Sequence, residues 1–294
     1  MTIASPQRAC AVGATLGEGP VWVARENALW FVDIKEQRIH RFDPADGTLR
    51  SWPAPSQVGW VLPAQAGDFI VGMQRGIERF DPATGAFTPL LDPEPHLPGN
   101  RLNDATTDAQ GRIWFGTMDD GEGQVSGHLY MLDAGGVRHA GLPPVAITNG
   151  PAISPDGRTL YHTDTLGKVI HAVAVNDDGT LGAARPFVTI EEGAGWPDGS
   201  VVDSEGCVWT ALWGGWGARR YAPDGTLVGT VGLPASNITK LAFGGPGLKT
   251  AYATSARKGL DAAALAAQPE AGDLFAFEVD VPGLPVTEVA TLGR

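Results

Sequence analysis

At 294 residues and 43% hydrophobic composition, the chain is long enough for one large β domain or two ordinary ones, with a sizeable core in either case. A net charge of −12 without any basic block argues against a nucleic-acid partner, because phosphate binding draws on clustered Lys and Arg. No apolar window reaches 18 residues and Met1 to Pro20 has no signal-type apolar core, so no membrane partner is expected. Two cysteines without Cys-x-x-Cys spacing complete the expectation of a soluble cytoplasmic protein.

In chain order, the first signal is a repeat. A turn residue precedes a short strand-like run at Asn27, Gly67, Gly111, Gly157, Gly206 and Gly247, at intervals of 40, 44, 46, 49 and 41 residues. The runs that follow are Ala28–Val32, Asp68–Val71, Arg112–Phe115, Arg158–Tyr161, Cys207–Thr210 and Thr250–Ala253. A third run comes after each, as in Arg38–Phe42, Gly76–Phe80, Gly127–Met131, Val169–Val173, Ala218–Tyr221 and Asp273–Phe277. Hairpin turns at Asp43–Gly47, Asp81–Gly85 and Pro223–Gly225 lead into fourth runs such as Leu49–Trp52 and Leu227–Thr230.

Four short antiparallel strands per repeat, six times over, describe an all-β six-bladed β-propeller around a central channel, formed by residues 1–294 as a single domain. The segment Ala9–Gly13 is expected to supply the outer strand of the last blade. A pair of β-sandwiches is the competing architecture, but it predicts no common phase for polar residues across the repeats. One helical stretch, Leu260–Ala267 with Asp261 at its start, interrupts the sixth repeat.

A common phase is present. Counting back eleven or twelve residues from Trp30, Trp114, Tyr161 and Trp209 reaches Glu18, Asn103, Asn149 and Asp198. The second repeat has Gly59 eleven residues before Ile70, and the sixth has Asn237 fifteen before Tyr252. Innermost propeller strands line the channel, so these residues are predicted to share one mouth, with the Asp-x-x-Gly turns at the other. Each alone is an ordinary turn former. Together, two carboxylates and several carboxamides at one height call for a cation. All-oxygen donors favour Ca, Mg or Mn, with Zn or Fe(II) as alternatives where water completes the shell.

Other motifs carry less. The six His show no zinc-protease spacing, and neither a Gly-x-Ser-x-Gly elbow nor a P-loop occurs. Asp177-Asp178-Gly179 is a hairpin turn, and His162 is a candidate for a hydrogen-bond network within its blade. Trp60 and the Trp213–Gly217 segment are each candidates either for an aromatic wall or for blade packing.

Leu16–Trp22, Arg101–Asp104, Thr148–Pro151, Pro197–Gly199 and Trp114–Met118 together resemble the gluconolactonase, regucalcin and senescence-marker-protein family of six-bladed propellers, over about Leu16 to Phe277. His162–Thr165, Thr210–Gly215 and Ser255–Gly259 look most like bacterial sugar lactonases of the xylonolactonase and arabinonolactonase type, some of which use Fe(II). The resemblance implies one divalent metal ion held by Glu18, Asn149 and Asp198, with Arg101 and Asn103 contacting substrate. It also places an acidic lid loop at Asp119–Gly123, where Asp120 is the candidate substrate-binding residue. Asp198 is then the candidate catalytic base, water activated directly by the cation being the alternative.

Three functions follow for weighing. The first is metal-dependent hydrolysis of an aldonolactone such as xylonolactone, arabinonolactone or gluconolactone, by a monomer or small homo-oligomer. The second is a non-catalytic metal-binding regulator of regucalcin type, and the third a platform for protein partners. Arg101 and Asn103 beside the ligands favour the enzyme, since ion buffering needs neither.

Overall fold

The computed structural model describes residues 2–292. It contains six four-stranded antiparallel sheets, and the innermost strand of each packs against the innermost strands of both neighbouring sheets, closing a ring. From blade 1 to blade 6 these innermost strands are Gly17–Val23, Val58–Pro63, Asn100–Thr107, Thr148–Ile153, Trp196–Val202 and Ile238–Gly244. The architecture is the six-bladed β-propeller that the repeat predicts.

The six turn residues that mark the repeat all have left-handed backbone, from φ 48° at Asn27 to φ 91° at Gly67. Such a φ favours Gly or Asn, which is why the repeat is visible as a spacing of those two types. In blades 3 and 5 the turn is locked by an aspartate. Asp108 accepts from the Gln110 and Arg112 N–H groups and from Trp114 Nε1, and Asp203 accepts from Glu205 N, Cys207 N and Trp209 Nε1. Those tryptophans, with Trp30, are fully buried between blades. Trp60 is also fully buried and packs against Phe115, so it belongs to the core.

Blade 6 takes its outer strand from the N-terminal segment. That strand is Gln7–Cys10, pairing with Leu274–Glu278, so it lies a few residues earlier than the expected Ala9–Gly13. The reason is local: Asp273 Oδ1 accepts both the Val12 and the Gly13 N–H at 2.9 Å, which turns the chain out of the ladder. The third strand of blade 3 begins at Leu129, two residues after the expected Gly127, because Gly127 bridges Val145 instead. The helix in the sixth repeat spans Ala262–Ala267, with the Asp261 side chain accepting from Ala264 N at 2.8 Å as its N-cap.

Every innermost strand is interrupted by a register shift, and the shifts fall at equivalent places: after Glu18, Val58, Leu102, Asn149, Pro197 and Ile238. A β-bulge breaks the alternation of faces and re-aims side chains. It also lets Pro20 and Pro151 sit inside a sheet, where a regular ladder would reject them.

Candidate functional site at one mouth of the channel

The bulges deliver side chains to a pocket of about 350 Å³, lined among others by Glu18, Arg101, Asn103, Asn149 and Asp198. All five are buried. The turn residues Asp108 and Gly157 line a separate cavity at the opposite mouth, with Leu284–Thr287 of the C-terminal segment. Mouth and turns are therefore separated as the phase predicts. The two remaining phase positions contribute no donor to the pocket. Gly59 has no side chain, and a Cβ there would lie 2.3 Å from the Leu102 carbonyl oxygen of blade 3. Asn237 precedes its strand and is turned aside, donating to the Lys258 carbonyl and accepting from Ser236 Oγ.

A chain of carboxamides and a guanidinium orders one wall. Arg101 Nη1 donates to Asn103 Oδ1 at 2.6 Å, Asn103 Nδ2 to Asn149 Oδ1 at 2.9 Å, and Asn149 Nδ2 to Thr165 Oγ1 at 3.0 Å. The amide orientation of Asn149 is thereby set, with its oxygen toward Asn103 and its nitrogen toward Thr165. Asp120 does not line the pocket. Its half-buried carboxylate accepts from Arg101 Nε at 2.8 Å, Lys35 Nζ at 2.7 Å and Gln57 Nε2 at 2.9 Å. Burial alone pushes that carboxyl up, but the bonds from Lys35 and Gln57 and the charge of Arg101 outweigh it, holding it to about 2. The acid of that loop that lines the pocket is Glu122, ion-paired with Lys258 across the mouth.

Glu18 and Asp198 have a different environment. Glu18 accepts only the Gly19 N–H, at 2.8 Å, and no side chain among the described residues donates to either carboxylate. Burial first, then the charge of Asp104, pushes Glu18 up to about 8; burial and the charges of Glu18 and Asp104 push Asp198 well up. Two buried carboxylates that repel each other and lack a cationic partner, next to an oriented carboxamide oxygen, fit a hard divalent ion. Among the described residues no three His, Cys, Asp or Glu side chains form a ligand group, in keeping with a set that mixes carboxylates and carboxamides.

Several site features escape sequence reasoning. Asp104 is buried beneath the pocket in an ion pair with Lys240, which shares no motif with it. The upper walls are apolar, from Leu16, Met118, Ile147, Leu166, Trp196 and Trp213. Trp213 was a candidate wall residue; Trp196 was not, and the ammonium of Lys168 lies 4.9 Å from its ring centre. Trp216 does not line the pocket. His162 is buried, and its Nδ1 has no hydrogen-bond partner among the described residues.

Fold and site together define a six-bladed propeller with an oxygen-donor pocket at one mouth of its channel. The chain belongs to the SMP-30/Gluconolactonase/LRE-like region family, which it matches over residues 16–257. It is 36% identical over 272 residues to the 6-deoxy-6-sulfogluconolactonase of Pseudomonas putida, covering 92% of this chain and 93% of that one. With the L-arabinolactonase of Azospirillum brasilense it shares 36% identity over 284 residues, 95% of this chain and 94% of the other. A crystal structure described as a calcium-binding protein, regucalcin, from Agrobacterium tumefaciens superposes with a TM-score of 0.93 at 30% identity, covering 97% of both chains.

Proposed function

We propose that this protein is a carboxylic-ester hydrolase that opens a sugar lactone, a pentono- or hexonolactone, to the aldonic acid, using one divalent cation held by Glu18, Asn149 and Asp198. The observation that carries the reading is the pair of buried, mutually repelling carboxylates beside Asn149, at the base of a pocket large enough for a sugar lactone. The lactonase names of the two bacterial relatives support the same reaction class.

A cation bound there would supply Lewis-acid polarisation of the lactone carbonyl, worth several kcal/mol of transition-state stabilisation. The chain's own residues do the rest. Arg101, held from behind by Asp120, and Asn103 orient the ring through its hydroxyl groups. Trp196 and Trp213 offer apolar faces to the C–H side of the sugar and exclude water. Asp198 takes a proton from the attacking water as the new C–O bond forms. As the ring C–O bond breaks, Asp198 returns that proton to the departing oxygen, yielding the hydroxy acid. Calcium, manganese, magnesium, zinc and Fe(II) all belong in the test panel, calcium because the Agrobacterium relative is described as binding it.

A regulator that binds metal without catalysis leaves the ordered Arg101–Asn103–Asn149 wall and the aromatic rim without a use. Free Cys10 and Cys207 accord with a reducing compartment, and no helix among the described residues is long and apolar enough to cross a membrane; we assign the chain to the cytoplasm.

The test follows acid release from xylono-, arabinono-, glucono- and galactonolactone against the spontaneous background. The parent protein accelerates at least one, chelator abolishes the acceleration, and an added divalent ion restores it. Asp198→Asn lowers kcat at least a hundredfold. No acceleration with any lactone and any of the five ions sinks the hydrolase reading.

A further inference from the structure

Directly under the pocket, a lysine and an aspartate from opposite sides of the ring meet in the channel. Lys240 comes from the innermost strand of blade 6 and Asp104 from that of blade 3, three blades away. The Asp104 side chain is 1% exposed and that of Lys240 8%. Both oxygens of Asp104 are committed: Oδ1 accepts Lys240 Nζ and, at 2.7 Å, the Ala105 N–H, while Oδ2 accepts the Gly150 N–H at 2.8 Å. Lys240 Nζ also donates to the Ala105 carbonyl at 3.2 Å. Its alkyl stem lies over Gly199, where an added Cβ would come 2.5 Å from the lysine Cβ. The pair thus touches Gly150 and Gly199, the immediate neighbours of Asn149 and Asp198.

Stability is a weak reason for such a pair, because desolvating two charges offsets most of their attraction, and apolar side chains of similar size hold a channel at least as well. Position suggests an electrostatic reason. We propose that Lys240 and Asp104 set the charge of the cation site: Lys240 neutralises Asp104 and keeps it out of the ligand set, so that two carboxylates, Glu18 and Asp198, face a divalent ion. The inference rests on the cation reading above. Without Lys240, three carboxylates would converge on one ion. Without the charge of Asp104, a buried ammonium would oppose the ion at short range in a medium that screens poorly.

The two groups are therefore expected to act in opposite directions. Chelator-stripped full-length protein is titrated calorimetrically with Ca²⁺ and with Mn²⁺, and the thermal midpoint of each stripped variant is recorded alongside. Asp104→Asn, which keeps an acceptor for the Gly150 N–H, weakens binding at least tenfold. Lys240→Met, which keeps a stem over Gly199, tightens it at least threefold. The double variant, with neither charge, returns to within threefold of the parent. A merely structural pair would lower the midpoints and leave the affinities alone; that result, or two single variants shifting affinity in the same direction, overturns the proposal. Should one single variant fail to fold, the other and the double still decide it, since each has its own predicted affinity. A parent that binds neither ion, nor Mg²⁺, Zn²⁺ or Fe²⁺ in the same titration, refutes the cation reading itself, whereas a parent that binds and variants that match it refute only the charge-setting role.

Discussion

Asp120 shows how residue type and residue role come apart. An acidic residue in a loop over a sugar pocket suggests contact with hydroxyl groups, yet its carboxylate is taken up by Arg101, Lys35 and Gln57. We propose that it acts on substrate through the guanidinium it holds. Asp120→Asn therefore lowers kcat/KM by about tenfold, mainly through KM, because Arg101 gains freedom while Glu18, Asn149 and Asp198 are untouched. Calorimetric cation affinity of that variant stays at the parent value, and a parallel loss of cation binding would contradict this division of labour. The shared phase of Glu18, Asn103, Asn149 and Asp198 was legible in the chain, and Arg101 through the family resemblance alone. Lys240 was not, since its partner lies 136 positions away and no spacing joins them.

Among elements, the innermost strand is the one whose pairing departs from a regular ladder in all six blades, and that departure makes the site. Side chains on a regular strand alternate between faces, so Asn103 and Asp104 would point apart. The register shift between Leu102 and Ala105 lets Asn103 reach Asn149 while Asp104 reaches Lys240 and Gly150. Asn-Gly-Pro and Asp-Gly in sequence announce a break in regular structure; whether that break is a hairpin or a bulge depends on the neighbouring strand. The second strand of blade 4, Thr159–Asp164, carries a further consequence. Burial, then the nearby charge of His171, lowers His162 to about 4. The unfolded chain takes up that proton near pH 6.5, so the folded state keeps its full stability above that pH and loses it as pH falls toward 4. The loss attributable to this one group reaches about 3 kcal/mol at pH 4. Urea titrations at pH 7 and pH 4 check it: His162→Gln shows a smaller drop than the parent, and an equal drop assigns the acid sensitivity elsewhere.

At the scale of the whole molecule, closure of the ring places its first strand last. Gln7–Cys10 completes blade 6 on Leu274–Glu278, and the Val12 and Gly13 N–H groups are tied to Asp273. We propose that residues 1–294 form a single domain that unfolds as one unit, since each blade buries its faces only against its neighbours. Calorimetry of the intact chain then gives one transition. Deleting residues 1–13 lowers its midpoint by at least 5 °C and promotes aggregation, because an inner strand of blade 6 becomes an exposed edge. Two resolved transitions in the intact chain would show instead that the blades melt in separate groups.

The sequence by itself determined the number of blades, the strand order within each and the height at which the polar residues gather. All three depend on local backbone demands, left-handed turns and alternating apolar runs, that recur at a readable period. Tertiary structure alone decided which of those residues face one another. It turned Asn237 aside, left Gly59 as bare backbone against blade 3, made Asp120 a support for Arg101, and set Lys240 against Asp104 across the channel. Local spacing fixes phase around the ring, but contact across a channel depends on six strands closing together, and no single segment of chain encodes that distance.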